Sequence, residues 1–110
     1  MTDAIARADP ALQRAYARLL KAVQALGRVV EERGERSVLL RSGGGFLGVH
    51  PMRDCLDLQI VTDHVIRAAR VMKVDPVSAR RFHVHVRIAS QKEVDAELMG
   101  WLREAYDLMA

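Results

Sequence analysis

The run from Ser90 to Tyr106 reads as an amphipathic helix, and such a helix needs an apolar surface to lie on. Val94, Leu98, Trp101, Ala105 and Leu108 recur at alternating spacings of four and three residues, which stacks them on one helical face. Ser90 and Glu93 stand at the spacing of a capping box, in which each side chain satisfies the other's free backbone N–H. Gly100 interrupts the pattern at a cost of about 1 kcal/mol, so close approach to the surface beneath is expected there. Asp95, Glu97, Glu104 and Asp107 read as the solvated face.

A second helix is expected near the start. Asp9-Pro10 supplies an N-cap and a proline at the first helical position, where a missing N–H costs nothing. Leu12, Tyr16, Leu19, Val23 and Leu26 form its apolar stripe, and Gly27 suits its C-cap. Between the helices the period changes to two. In Cys55 to Val61, Leu56, Leu58 and Ile60 point one way, with Cys55, Asp57 and Gln59 opposite. In Phe82 to Ile88, Phe82, Val84, Val86 and Ile88 face a core while His83, His85 and Arg87 face away. Ser37 to Arg41 and Phe46 to His50 read as strands joined by Ser42-Gly43-Gly44-Gly45, and Val29 to Arg33 as a short edge strand. The segment from His64 to Arg81 is ambiguous; Arg70 to Val74 reads as a strand turning at Asp75-Pro76. The expected architecture is α+β: an N-terminal helix, an antiparallel meander of four or five strands and a C-terminal helix. Both helices should cover one sheet face and leave the other open. Residues 1–8 read as a flexible tail and 9–110 as a single domain.

Composition narrows the function classes. With 110 residues, half of them hydrophobic, there is room for one core. The single cysteine, Cys55, excludes an internal disulfide and suits a reducing cytoplasm. No apolar run approaches the roughly 20 residues that span a bilayer, and Met1 to Arg7 lacks a signal-peptide core. A net charge of +3 is weak evidence for an anionic partner.

The closing stretch Ala89 to Tyr106, acidic and then ending in Trp101 and the pair Ala105-Tyr106, resembles the last helix of the bacterial domain-of-unknown-function 5655 family. Val38-Leu39-Leu40-Arg41 leading to Phe46-Leu47-Gly48-Val49-His50-Pro51 is similar to that family's paired strands ending in proline. Leu56-Asp57-Leu58 and His83-Val84-His85-Val86-Arg87-Ile88 resemble its later strands. The resemblance covers residues 10 to 109. Where the family often carries a lysine before its first core strand, this chain has Arg36, which keeps the charge but cannot act as a neutralisable base. Members that stand alone or as appendages to larger proteins imply an accessory or binding role, without an activity to carry over.

The residues themselves suggest a binding face and no catalytic constellation. His83 and His85, two apart on a strand, share a face that His50 and Asp57 can join from neighbouring strands. Convergent imidazoles and a carboxylate are the chemistry of a transition-metal site, although His-x-His alone is common on solvated strands, and neither metal nor cofactor is expected. Arg36, Arg41, Arg53 and Arg87, with Arg80 and Arg81, offer an anion or nucleic-acid surface. Phe46 is its candidate base-stacking platform. Gly43-Gly44-Gly45 is followed by a strand and not a helix, so it reads as a hairpin turn rather than a phosphate loop. Cys55 lacks the companions of a nucleophile. The leading expectation is a non-enzymatic cytoplasmic module binding a protein or small ligand on its open sheet face, with edge pairing into a homodimer as one route to assembly. The alternatives are a nucleic-acid accessory protein and a small metal-dependent enzyme using His83 and His85.

Overall fold

The computed structural model describes residues 3–110. Their order is α1 (Pro10–Gln24), β1 (Val30–Arg33), β2 (Val38–Arg41), β3 (Gly45–Pro51), β4 (Leu56–Thr62), β5 (Val71–Ser78), β6 (Arg81–Ile88), a 3-10 turn (Gln91–Glu93) and α2 (Ala96–Met109). The α+β class and the terminal helices are as expected, but the sheet has six strands, not four or five, in the order β1-β2-β3-β4-β6-β5. All neighbours are antiparallel. The meander therefore breaks once, where β5 passes outside β6 to become an edge. The two strands with the weakest sequence signal, β1 and β5, are the two edges. Their residues are mostly exposed or half-buried, and a strand without a buried face has little reason to alternate. β5 also runs through Asp75-Pro76 instead of turning there. Proline is tolerated because this is an edge strand with a register shift between Pro76 and Ser78.

The core lies on one sheet face. Leu47 and Val49 of β3, Leu56, Leu58 and Ile60 of β4, and Val84, Val86 and Ile88 of β6 are fully buried. They join Leu12, Ala15, Leu19 and Val23 of α1 and Leu98, Leu102 and Ala105 of α2 in a single cluster. Each buried Leu, Ile or Val contributes about 1.5–3 kcal/mol. Tyr16 is buried in the same cluster, and its hydroxyl donates to the Glu31 carboxylate on β1. Arg33 lies over the Tyr16 ring at 5.8 Å and pairs with Asp3 at 2.9 Å. Residues 3–8, expected to be tail, pack onto the fold: Ala4 and Ile5 are buried, and the Ala4 amide donates to the Gly34 carbonyl at 3.0 Å. Met1 and Thr2, the start of that expected tail, lie outside the described residues.

The start of α2 differs from expectation, and its end is capped by another part of the chain. The Glu93 carboxylate accepts from the Ala89 and Ser90 amides, but this closes only the 3-10 turn. The helix starts at Ala96 behind its own N-cap, Asp95, which accepts from the Leu98 amide at 3.0 Å. The buried stripe of α2 runs through Leu98, Leu102 and Ala105, with Trp101 and Leu108 half-buried. Arg70 holds Asp95 with contacts of 2.7 and 2.9 Å and donates to the Glu93 carbonyl. The Leu98 amide foremost, and Arg70 after it, hold the Asp95 carboxyl below its usual range. At the other end, the Gly44 amide donates to the Met109 carbonyl at 2.7 Å and the Ser42 hydroxyl to the Tyr106 carbonyl at 2.8 Å. The glycine turn thus caps the last turn of α2. A Cβ on Gly43 would stand 2.6 Å from the Met109 oxygen, so the close backbone approach expected at Gly100 occurs here instead. Gly100 itself is exposed, with nothing within 4 Å of its would-be side chain.

α1 ends at Gln24 with Ala25 as its C-cap, rather than Gly27. Gly27 follows in the turn with φ 154°, and any Cβ there would collide with the Tyr106 hydroxyl, which donates to the Arg28 carbonyl at 2.9 Å. Among the described residues, no helix is long and apolar enough to cross a membrane.

The glycines predict opposite responses to the same change. Gly100→Ala should stabilise the protein by about 0.5–1 kcal/mol, while Gly27→Ala should destabilise it by more than about 1 kcal/mol; urea titration of the two variants measures both signs. Asp95→Ala should cost about 1 kcal/mol through the lost cap. Because the folded carboxyl titrates below the unfolded one, its contribution is fully present above the ordinary Asp pKa of about 3.9 and is lost as the pH falls through the lower folded value. The Tm gap between wild type and Asp95→Ala should therefore narrow in acid.

Candidate functional site on the open sheet face

The face away from the helices is uncovered. Gly48 and His50 from β3, Asp57 and Gln59 from β4, and His83, His85 and Arg87 from β6 project there, as the alternation dictates. The register puts His50 directly across from Asp57 and Asp57 across from Arg87. His85 stands opposite Gln59 on one side and Lys73 on the other. Its ring reaches diagonally to both neighbouring strands. Nδ1 meets the Asp57 carboxylate and Nε2 meets the Asp75 carboxylate, each at 3.0 Å. A ring that meets a carboxylate at each nitrogen can donate to both only when both nitrogens carry hydrogen. Arg87 Nε lies 3.7 Å from Asp57 and Lys73 Nζ 3.5 Å from Asp75. The result is a charge ladder across three strands, Arg87–Asp57–His85–Asp75–Lys73. Only its centre is withdrawn from solvent: His85 is 7% exposed, while the Arg87 and Lys73 side chains are 46% and 62% exposed.

Two hollows flank this ladder and share His50 and Asp57. One, of about 440 Å³, lies over Leu39, Gly48 and Gln59. The other, of about 360 Å³, is lined by Met52, Met72, Lys73, His85 and Arg87. A third, of about 310 Å³, reaches from His50 and Met52 to Arg36 in the β1–β2 turn. His50 is common to all three. It is exposed, and its ring has no hydrogen-bond or ionic partner among the described residues. Gly48 keeps the floor of the first hollow low; its would-be Cβ would make ordinary contact with Gln59, at 3.4 and 3.5 Å. A glycine inside a strand weakens it, and often marks a place where something approaches the backbone closely.

The expected site residues are thus divided by the fold. His50, Asp57, His85 and Arg87 come together, and Arg36 borders the same surface. Arg41, at the end of β2, pairs with Glu32 at 3.5 Å. Arg53 lies apart, with Asp9, Ala11 and Leu12 near the start of α1. His83 is half-buried outside the ladder. Both His85 nitrogens are engaged, and among the described residues no group of three or more His, Cys, Asp or Glu is arranged to hold a metal. Phe46, the candidate stacking platform, is fully buried and packs edge-on against Tyr106 at 5.4 Å. Burial pushes the Cys55 thiol up, away from the thiolate a nucleophile needs. Lys73 and Asp75 belong to the site but were not among the expected residues. Their i, i+2 spacing was the available signal, obscured by the turn-like pair Asp75-Pro76.

The two histidines separate experimentally. His85→Ala removes the shared partner of two carboxylates, one of them only 17% exposed, and should cost about 1–3 kcal/mol. His83→Ala should stay within about 0.5 kcal/mol of wild type. Urea unfolding of both variants makes the comparison.

No curated protein and no solved structure matches the chain. The family model described as a domain of unknown function, DUF5655, matches residues 1–109. That match spans the α-helical ends and every strand between them, and the chain belongs to the DUF5655 family.

Proposed function

We propose that the protein is a cytoplasmic, non-enzymatic binding module whose site is the groove on its open sheet face. The observation that carries this reading is the continuity of the groove: adjoining hollows meet at His50, an exposed ring without a partner among the described residues. Hollows of about 360 and 440 Å³ are of the size that holds small molecules. The ladder beside them is braced on both sides of His85, which keeps the groove's polar wall preorganised. Its members lack a nucleophile–base pair, so binding is a better account of the face than catalysis.

A small molecule suits this groove better than nucleic acid does. The arginines are spread over several surfaces: Arg53 near α1, Arg80 and Arg81 at the β5–β6 turn, and Arg87 beside Asp57. Among the described residues no open-face aromatic replaces the buried Phe46 as a base platform. Edge pairing into a homodimer through β1 draws little support from a four-residue strand carrying Glu31, Glu32 and Arg33.

Native mass spectrometry of the untagged protein, purified without chelator, tests the reading. Gly48→Val, which raises the groove floor while improving strand propensity, is the control. The expected result is a small-molecule mass excess on the wild-type chain that is lost from Gly48→Val while its urea midpoint holds. A clean chain mass for both proteins, or an excess unchanged by the substitution, would count against the groove.

A further inference from the structure

Charge and donor inventory on the Met52–Met72 side of the groove are specific enough to name a ligand class. Four acidic and basic side chains flank His85 in the ladder. Asp57 and Asp75 meet its ring from either side, and Arg87 and Lys73 stand beyond them. The carboxylates are turned inward onto His85, whereas the cations stand at the exposed ends. Arg87 uses only Nε, and at 3.7 Å, leaving the two outer nitrogens of its guanidinium without a protein partner. Lys73 has one contact, at 3.5 Å, for three N–H donors. His50 uses neither ring nitrogen. All three line the same hollow of about 360 Å³. The rest of its wall includes Met52 and Met72, which are 41% and 57% exposed and whose flexible thioethers adapt to an apolar guest.

Resting on the binding reading above, we infer that this hollow takes a small organic monocarboxylate. Its carboxylate is held by Arg87, Lys73 and His50, and its apolar stem lies against Met52 and Met72. The unfilled donors of Arg87 and Lys73 and the unpartnered ring of His50 border one hollow, where a single carboxylate can meet them. A planar carboxylate can accept two parallel bonds from the free edge of a guanidinium. A second anionic group would stand against Asp57 and Asp75, and a cation would have to displace Arg87 and Lys73 from the carboxylates they now face.

The test is protein-observed NMR of the 15N-labelled chain at constant ionic strength. The probes are sodium hexanoate, 1-hexanol, inorganic phosphate and hexylammonium chloride. Hexanoate should produce saturable shifts centred on His50, Met72, Lys73 and Arg87. Arg87→Gln, whose substituted side chain is exposed and makes one long contact, should weaken hexanoate binding by about tenfold or more, with the rest of its spectrum unchanged. Arg53→Gln, on the far side near α1, should leave hexanoate binding unaltered. The inference is overturned if hexanol saturates the same amides equally well, if phosphate or hexylammonium binds there as tightly as hexanoate, or if Arg87→Gln and Arg53→Gln behave alike. Absence of hexanoate shifts, together with a neutral or cationic adduct lost from Gly48→Val in native mass spectrometry, removes the carboxylate and leaves the binding module. Absence of groove shifts with every probe, together with a clean chain mass, removes both.

Discussion

Along β4 and β6 the apolar side chains fall on one side and the polar ones on the other, and the antiparallel register locks these two strands together. A one-residue slip of β4 would carry Leu56, Leu58 and Ile60 into water and bring Asp57 and Gln59 into the core, so the alternation excludes it. The helices are then confined to one face, because only one face is apolar. The polar ladder is confined to the other, because the side chains that build it are the remaining half of the same pattern. Core and candidate site are two readings of one periodicity.

The ladder also shows how a polar group can be withdrawn from water on a face that is otherwise open. His85 is flanked by carboxylates from both adjacent strands, so its burial leaves no ring nitrogen unmatched. Its neighbours face a different balance. Arg87 and Lys73 are held by single long contacts at the rim, where water competes and an ion pair contributes little. The centre of the ladder is structural and its ends are available. That division is why the paired histidine is a poor candidate for ligand contact and the unpaired His50 a good one.

How much of this could be read from the residues differed from one element to the next. The buried strands and both helices announced themselves, because burial on one face imposes a period. The edges gave weaker signals for the converse reason, since both bury little: β1 was still legible as a short edge strand, but β5 was cut short at Pro76, which imitates a turn. Distances between elements were not legible at all. The glycine turn, read correctly as a hairpin, gave no hint that its amide and its lack of side chains serve the last turn of α2. Gly100, which looked like the close approach, faces open space. The open face and its His50–Asp57–His85 cluster followed from alternation. The contributions of Lys73 and Asp75 depended on β5 crossing outside β6, a detail of topology that local pattern does not encode.

That crossing divides the sheet into two pieces. β1 to β4 are joined by consecutive tight connections, and β5 and β6 form a hairpin of their own, so each piece can assemble from contacts close in sequence. Only the pairing of β4 with β6 joins them, and it spans the long segment from Asp63 to Arg70 before the hairpin begins. Loop-closure entropy must be met before that pairing gains anything, and its partners, from Thr62↔Phe82 to Leu56↔Ile88, are the most widely separated in the sheet. Asp57 stands on one bank of this seam, with His85 and Asp75 on the other. A hairpin opening as a unit would part Asp57 from His85 while leaving the His85–Asp75 contact intact, so anything held against the ladder also holds the two halves of the sheet together.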